Sequence, residues 1–456
     1  MRRLRFLLTM LVIGLAGIAQ GRDLPNVLFL FTDDQRADTI GALGNDLIQT
    51  PNIDRLVDSG FAFRNIYCMG STSGAVCLPS RHMMHSGMSL FRYDTNKKEG
   101  TFGDVMRKAG YETYHQSKRG NTPHTYHTVF EHSSYLNDEK VRTSGHHGRT
   151  AADNAIGFLQ RTWKKDRPFF LYIGFAGPHD PRVAADTWLS LYKQDAIPLP
   201  KNYLAYHPFD NGEMYVRDER LAPWPRTKDI VRKHLHDYYA CISSIDHNIG
   251  RIIETLRTLG EFDNTIIVFS SDHGLAIGSH GLFGKQNLYE HSMKAPLIFS
   301  GPGIPHGESD AFGYLLDIFP TVVDLVGLSP PRNIDGRSLA PVIRGEKKYA
   351  RDTIFLAYKD VQRAVRKGDW KLIRYPKVDV TQLFNLASDP NEMDNLANDP
   401  AHAERVAEMM TLLAAEQKKF DDTAPLTLAH PAPAKVDEAF FKRAPKVKKR
   451  TPRRKK

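Results

Sequence analysis

Cysteine is scarce in this chain: Cys68, Cys77 and Cys241 are the only three among 456 residues. Three thiols cannot build a disulfide framework, so an apolar core must hold the fold. Long hydrophobic runs are missing too. The one sustained apolar stretch, Phe6 to Ile18, falls short of the roughly 20 residues that a membrane span requires. With Arg2, Arg3 and Arg5 before it and Ala19-Gln20-Gly21 after it, residues 1–21 have the layout of a secretory signal peptide. This predicts export, to a bacterial periplasm or the medium. Acidic residues are absent from 442–456, where Lys442, Arg443, Lys446, Lys448, Lys449, Arg450, Arg453, Arg454, Lys455 and Lys456 sit beside Pro445 and Pro452. That composition reads as a disordered basic tail. The two termini hold thirteen of the 62 Lys and Arg residues, and all 52 Asp and Glu lie between them. The body is therefore slightly acidic, and the net charge of +10 does not argue for a nucleic-acid partner. The tail fits either a solubilising extension or a contact to some other polyanion.

Short apolar runs alternate with amphipathic stretches, and Gly or Pro marks many of the changes. This predicts an α/β fold: a large mixed, mainly parallel sheet flanked by helices, with a smaller C-terminal α+β domain. Strands are expected at Asn26 to Phe31, Pro168 to Phe175 and Thr265 to Phe269. Each runs into polar residues: Thr32-Asp33-Asp34, Pro178-His179-Asp180 and Ser271-Asp272-His273-Gly274. Ligands of open α/β sheets sit beyond the carboxyl ends of the strands, so three segments aim acids and imidazoles at one edge. Helices are expected over Thr50 to Ser59, Thr101 to Ala109, Thr150 to Lys164, Thr227 to Leu259 and Ile318 to Leu325. Asp186 to Pro225 reads as a long irregular insertion beside the site. After Arg344 come strand-like runs at Thr353 to Tyr358, Arg363 to Arg366 and Trp370 to Tyr375, then a helix from about Ala401 to Phe420. The expected organisation is a catalytic domain over 22–344, a smaller domain over 345–423, and a Pro-containing linker followed by the tail over 424–456.

The run Cys77-Leu78-Pro79-Ser80-Arg81, followed by His82 to Gly87, carries the most chemistry. Pro79 suits a helix start and Gly87 a helix end, which puts the thiol near unpaired backbone donors with Arg81 one turn along. A buried packing thiol or half a disulfide is the ordinary explanation of a lone cysteine, but neither requires a cation one turn away. The run resembles the C-x-P-S-R signature of type I sulfatases, in the alkaline-phosphatase-like superfamily, whose cysteine is oxidised to formylglycine by a maturation enzyme. The resemblance extends over roughly residues 24 to 400. It takes in Asp33-Asp34, Thr50-Pro51-Asn52-Ile53-Asp54-Arg55-Leu56, Pro178-His179-Asp180-Pro181, Ser271-Asp272-His273-Gly274, Gly284-Lys285, Gly368-Asp369-Trp370-Lys371-Leu372 and Leu383-Phe384-Asn385-Leu386.

The resemblance implies that Asp33, Asp34, Asp272 and His273 hold one divalent ion together with the oxygen of modified Cys77. Calcium is the expected metal, although an imidazole nitrogen is not the ligand calcium favours. It further implies that hydrated formylglycine attacks sulfur, Arg81 fixes the diol, Lys118 and Lys285 clamp sulfate oxygens, and His179 or Lys285 protonates the departing alcohol. Such roles answer the charge that grows on sulfuryl and leaving oxygens during sulfate ester hydrolysis. One departure stands out: relatives carry a histidine where this chain has Gly120, with His124, His127 and, less directly, His115 as substitutes. A sulfated glycan is the implied substrate, and a sulfated polysaccharide is then a natural polyanion for the tail. A phosphodiesterase or phosphonate hydrolase of the same superfamily, or a non-catalytic binder of sulfated polysaccharide, would share many of these features.

Overall fold

The computed structural model describes residues 24–442; the segment expected to be a signal peptide and most of the basic tail lie outside the described residues. Two sheets organise the chain. The larger contains β1 (Asn26–Asp33), β2 (Phe61–Tyr67), β4 (Glu112–Lys118), β5 (His132–Leu136), β6 (Phe169–Pro178), β7 (Thr265–Ser271), β8 (Lys294–Ser300) and β9 (Gly307–Tyr314), in the spatial order β5-β4-β6-β1-β7-β8-β2-β9. Every neighbouring pair is parallel except those made by β8, which runs against β7 and β2. The expected mixed, mainly parallel sheet is therefore present.

β1 shows why the sequence folds this way. Val27, Phe29 and Phe31 enter one hydrophobic cluster, whereas Leu28 and Leu30 enter another on the opposite face. Burial on both faces explains an unbroken apolar run, as in parallel sheets covered by helices. The helix Lys228–Thr258 covers the second face with Ile245, Ile249, Ile252 and Leu256, and its N-cap Thr227 side chain accepts from the Ile230 amide.

The smaller sheet has the order β13-β12-β11-β10-β3, from β10 (Thr353–Tyr358), β11 (Gln362–Lys367), β12 (Trp370–Tyr375), β13 (Val380–Asn385) and the two-residue β3 (Gly70–Ser71). Its last member comes from the N-terminal part of the chain, just before Cys77. Gly70 is required there: its φ is +111°, and a Cβ would run into the Ala357 carbonyl oxygen. The helix Ala403–Lys419 packs on β10, β11 and β12.

The stretch expected to be a linker is instead laid along the body. Arg374 donates to the Leu426 carbonyl at 2.8 Å, the Ala432 amide to Lys377 at 2.7 Å, and the Asp210 amide to the Ala434 carbonyl at 2.8 Å. Phe440 and Phe441 of the short helix Glu438–Lys442 then pack on Tyr215, Trp224 and Tyr206. Two adjacent aromatic residues amid polar sequence supply the burial that fastens it.

Candidate active site

Four adjacent parallel strands, β4, β6, β1 and β7, end at one edge of the larger sheet. They deliver Lys118, His179, the Asp33-Asp34 pair, and Asp272-His273 in that order. Register brings them level: Asp33 pairs with Pro178, and Thr32 with Ser271. The helix Cys77–Ser86 brings Cys77 and Arg81. Cys77 is its first residue and Pro79 its third, still inside the turn whose N–H groups have no helical partner. Gly87 closes it at φ +67°, its amide bonding to Met83 at 2.8 Å. Lys285 arrives from the loop after β7.

All of these side chains meet. Cys77 Sγ lies 2.9 Å from Lys285 Nζ, 3.3 Å from His273 Nε2 and 3.5 Å from Asp34 Oδ1. Lys285 also donates to Asp34 Oδ1 at 2.7 Å. Arg81, fully buried, donates to Asp33 Oδ2 at 2.8 Å and to Ser117 Oγ at 2.7 Å, and approaches Asp272 Oδ2 at 3.3 Å. Lys118 Nζ holds Asp33 Oδ2 at 2.8 Å. The motif serine, Ser80, donates to the Asp272 carbonyl at 2.8 Å and so ties the helix to the end of β7.

Asp34 adopts φ +67°, a costly conformation for a side-chain-bearing residue. It is held there because its amide donates to Asp272 Oδ1 at 2.9 Å and its carbonyl accepts from Tyr238 at 2.6 Å. Gly274 must be glycine, since a Cβ would collide with the His291 carbonyl oxygen.

Burial opposes ionisation of Asp33, yet Lys118 and Arg81 hold it well below the usual carboxylate range. Lys285 does the same for Asp34 against the same penalty. Conversely, burial works against the Lys285 charge, but Asp34 and Cys77 push its pKa up. Burial raises the Cys77 thiol, as do the three surrounding carboxylates, with Lys285 opposing them. His179 is lowered by burial. Its Nδ1 sits 2.7 Å from the Asp180 carbonyl and 3.1 Å from Arg142, which also reaches that carbonyl at 2.6 Å, and its Nε2 faces Asp34 Oδ2 at 3.9 Å.

The donor set fits a metal ion. Asp34, Cys77, Asp272 and His273 offer ligand atoms all within 4.8 Å of one another, as do Asp33, Asp34, Cys77 and His179. Asp33 Oδ1 is buried without a hydrogen-bond partner, which costs roughly 1–3 kcal/mol or more unless something positive meets it. His273 Nδ1 lies 2.8 Å from the Gly274 carbonyl; donating its proton there leaves the Nε2 lone pair for an ion.

The substitutes for a histidine at position 120 are occupied elsewhere. His127 and His115 face each other with their Nδ1 atoms 2.9 Å apart, and His124 pairs with the Tyr135 hydroxyl at 2.9 Å. Burial lowers His127 to about 4. From this loop Asn121 reaches the pocket, its amide 3.2 Å from Asp33 Oδ2. Sequence reasoning also missed Ser117, Tyr238 and Asp218, which accepts from Gln286 next to Lys285 at 2.8 Å. Only Ser117, one residue before Lys118, had a signal that pointed to it.

Comparison with known proteins agrees with this geometry. The family model described as Sulfatase matches residues 25–328, and one described as N-sulphoglucosamine sulphohydrolase, C-terminal, matches 278–419. The chain is 27% identical to the N-acetylglucosamine-6-O-sulfatase of Bacteroides thetaiotaomicron, covering 88% of each chain. It is 29% identical to the choline-sulfatase of Rhizobium meliloti, covering 81% of each. A solved structure in complex with its substrate D-glucosamine-2-N,6-O-disulfate superposes with a TM-score of 0.73 at 26% identity, over 88% of this chain and 99% of that one. The phosphonate monoester hydrolase of Agrobacterium radiobacter shares the fold, with a TM-score of 0.71 at 21% identity over 87% and 96%. A match over more than half the chain, on the segment that supplies every pocket residue named above, establishes that this protein belongs to the sulfatase family and is a sulfuric ester hydrolase.

Proposed function

We propose that the protein removes sulfate from a sulfated amino sugar or a related sulfated carbohydrate, with Cys77 as formylglycine. The carrying observation is the meeting of Cys77, Lys285, Asp34 and His273, drawn from four chain segments, within hydrogen-bond or ion-pair distance. The substrate class is supported by the similarity to an N-acetylglucosamine-6-O-sulfatase and to the structure bound to D-glucosamine-2-N,6-O-disulfate. Asp33, Asp34, Asp272 and His273 would hold Ca2+ with the oxygen of modified Cys77, supplying when bound a Lewis acid beside the sulfuryl group.

The chain's own residues do the rest. A formylglycine hydrate offers one hydroxyl to attack sulfur and a second to expel sulfate, which a thiol cannot do. Arg81 keeps the nucleophile at the helix start in place through its grip on Asp33, Asp272 and Ser117. Lys118 and Lys285, both buried, neutralise charge growing on the sulfuryl oxygens, and burial strengthens such contacts. Lys285 or His179 gives a proton to the departing sugar oxygen. An exported location and a maturation enzyme for Cys77 belong to the same proposal.

The test has two parts. Mass spectrometry of the Cys77 peptide should show one sulfur exchanged for one oxygen with two hydrogens lost. Sulfate release from N- and 6-O-sulfated glucosamines should be present in the parent and fall below detection in Cys77→Ala. An unmodified, fully active Cys77 would refute the nucleophile. Faster hydrolysis of an aryl phosphonate ester than of every sulfated sugar would favour the second reading, the phosphonate hydrolase whose fold the chain shares.

A further inference from the structure

A separate cavity shares a loop with the catalytic pocket. Asp34 belongs to the pocket, whereas Arg36 and Asp38 line a cavity of about 710 Å³. Cys77, Arg81, Lys118, His179 and Lys285 are not on its wall. Three parts of the fold enclose it: β2 and β8 with Phe63 and Pro296, the long insertion with Leu199, and the turn after β13 with Asn391 and Glu392. Its volume falls within the range of small-molecule sites, about 300–1,000 Å³.

The charges on this wall are matched within the protein. Arg36 pairs with Asp38 at 2.6 Å, and Arg64 with Glu308 at 2.6 Å. Glu290 and Glu392 both meet Lys371, at 2.8 Å and 2.7 Å, and Lys294 donates to Asn65 at 3.0 Å. The two exposed charges on the wall, Lys201 and Asp46, have opposite signs. Such a lining has no excess of one sign with which to concentrate an anion or a cation.

It does offer hydrogen-bonding groups of both kinds. His291, nine-tenths buried on the wall, has both ring nitrogens without a hydrogen-bond partner. Burial, with His280 and Arg36 nearby, holds it well below the usual histidine value, so the neutral ring has one donor and one acceptor. A hydroxyl group matches that pair, whereas an oxyanion supplies acceptors alone and an ammonium donors alone. The Tyr239 hydroxyl on the same wall has only a long contact to Asn45, 3.5 Å, to turn away from. Phe63, Leu199 and Pro296 add apolar surface against which the C–H face of a ring can pack.

We propose that this cavity is a binding site for a neutral, hydroxyl-rich saccharide, separate from the pocket that cleaves the sulfate ester. The test sugar, N-acetylglucosamine, is chosen on the hydrolytic reading above; the cavity and its chemistry are independent of it.

Isothermal titration with N-acetylglucosamine is run on the parent, on Leu199→Trp, which fills the cavity from a half-buried position, on Tyr239→Phe, and on Lys118→Ala in the catalytic pocket. The parent should bind the sugar, Leu199→Trp should raise Kd at least about tenfold, and Tyr239→Phe should raise it several-fold. Lys118→Ala should keep the parental Kd, as should the parent in excess sodium sulfate. Absence of binding to the parent would overturn the proposal, and so would a parental Kd in Leu199→Trp. Loss of binding in Lys118→Ala alone would put the sugar in the catalytic pocket instead, and displacement by sulfate would make the cavity an anion site. Should Leu199→Trp fail to unfold cooperatively, Tyr239→Phe, which removes one oxygen, decides: a parental Kd there refutes the site. Binding is read without turnover, so a parent that holds the sugar and releases no sulfate from any substrate refutes the hydrolytic reading alone.

Discussion

Arg81 concentrates the electrostatics of the pocket in one side chain. Its guanidinium spans Asp33, Asp272 and Ser117 at once, a fork that a lysine ammonium cannot reproduce. Arg81→Lys should therefore fold, with a melting temperature lower by about 2–4 °C, while kcat/KM for sulfate release drops on the order of 10²–10³-fold. Parental activity with a lowered melting temperature would reduce Arg81 to a structural role. The unpartnered Asp33 Oδ1 leads to a second expectation. Chelation with EDTA should abolish activity and lower the melting temperature, and Ca2+ should restore both better than Zn2+. At this scale the acids were legible because each follows an apolar strand, a pattern that predicts both position and neighbours. Asn121 was not, since nothing local to a loop asparagine announces that its amide will meet Asp33.

Strands carry the next level of precision. Gly174 in β6 lies beside Ser117 of β4, and a Cβ at Gly174 would stand 2.5 Å from Ser117 Oγ and 2.8 Å from its Cβ. Both are closer than packed atoms allow, and Ser117 is the hydroxyl that receives Arg81. Gly174→Ala should shift Ser117, costing about 1–3 kcal/mol by overpacking and lowering kcat through a residue that touches no substrate. Urea unfolding measures the first effect and sulfate release the second; a variant with parental values in both would show that β4 yields freely. The helix Ile318–Leu325 and the strands β10 and β12 match the sequence expectation residue for residue, because apolar periodicity and flanking turns agree there. The pairing of β2 with β8 and β9 was not readable. Which strands become neighbours depends on contacts more than 200 residues apart, and periodicity contains no partner information.

For the molecule as a whole, the two sheets form one unit. Glu290, in the segment between β7 and β8, is held by Lys371 at 2.8 Å and Arg366 at 3.0 Å from the small sheet, and burial is outweighed by these cations so that its carboxyl stays well below the usual range. Removing one side of such a buried pair costs about 3–5 kcal/mol. A chain stopped at Arg344 should consequently aggregate on expression despite ending at the expected domain boundary; a monodisperse, cooperatively unfolding product would show that the first 344 residues suffice. That dependence was hidden in sequence because each charge, taken singly, looks like a solvated one. The completeness of the pocket has a further consequence in time. Cys77 is 3% exposed once Lys285 and its neighbours have closed over it, yet on the ribosome it emerges some two hundred residues earlier. At about 5–20 residues per second, synthesis leaves on the order of 10–40 s during which any visiting enzyme can reach the thiol before the protein walls it in.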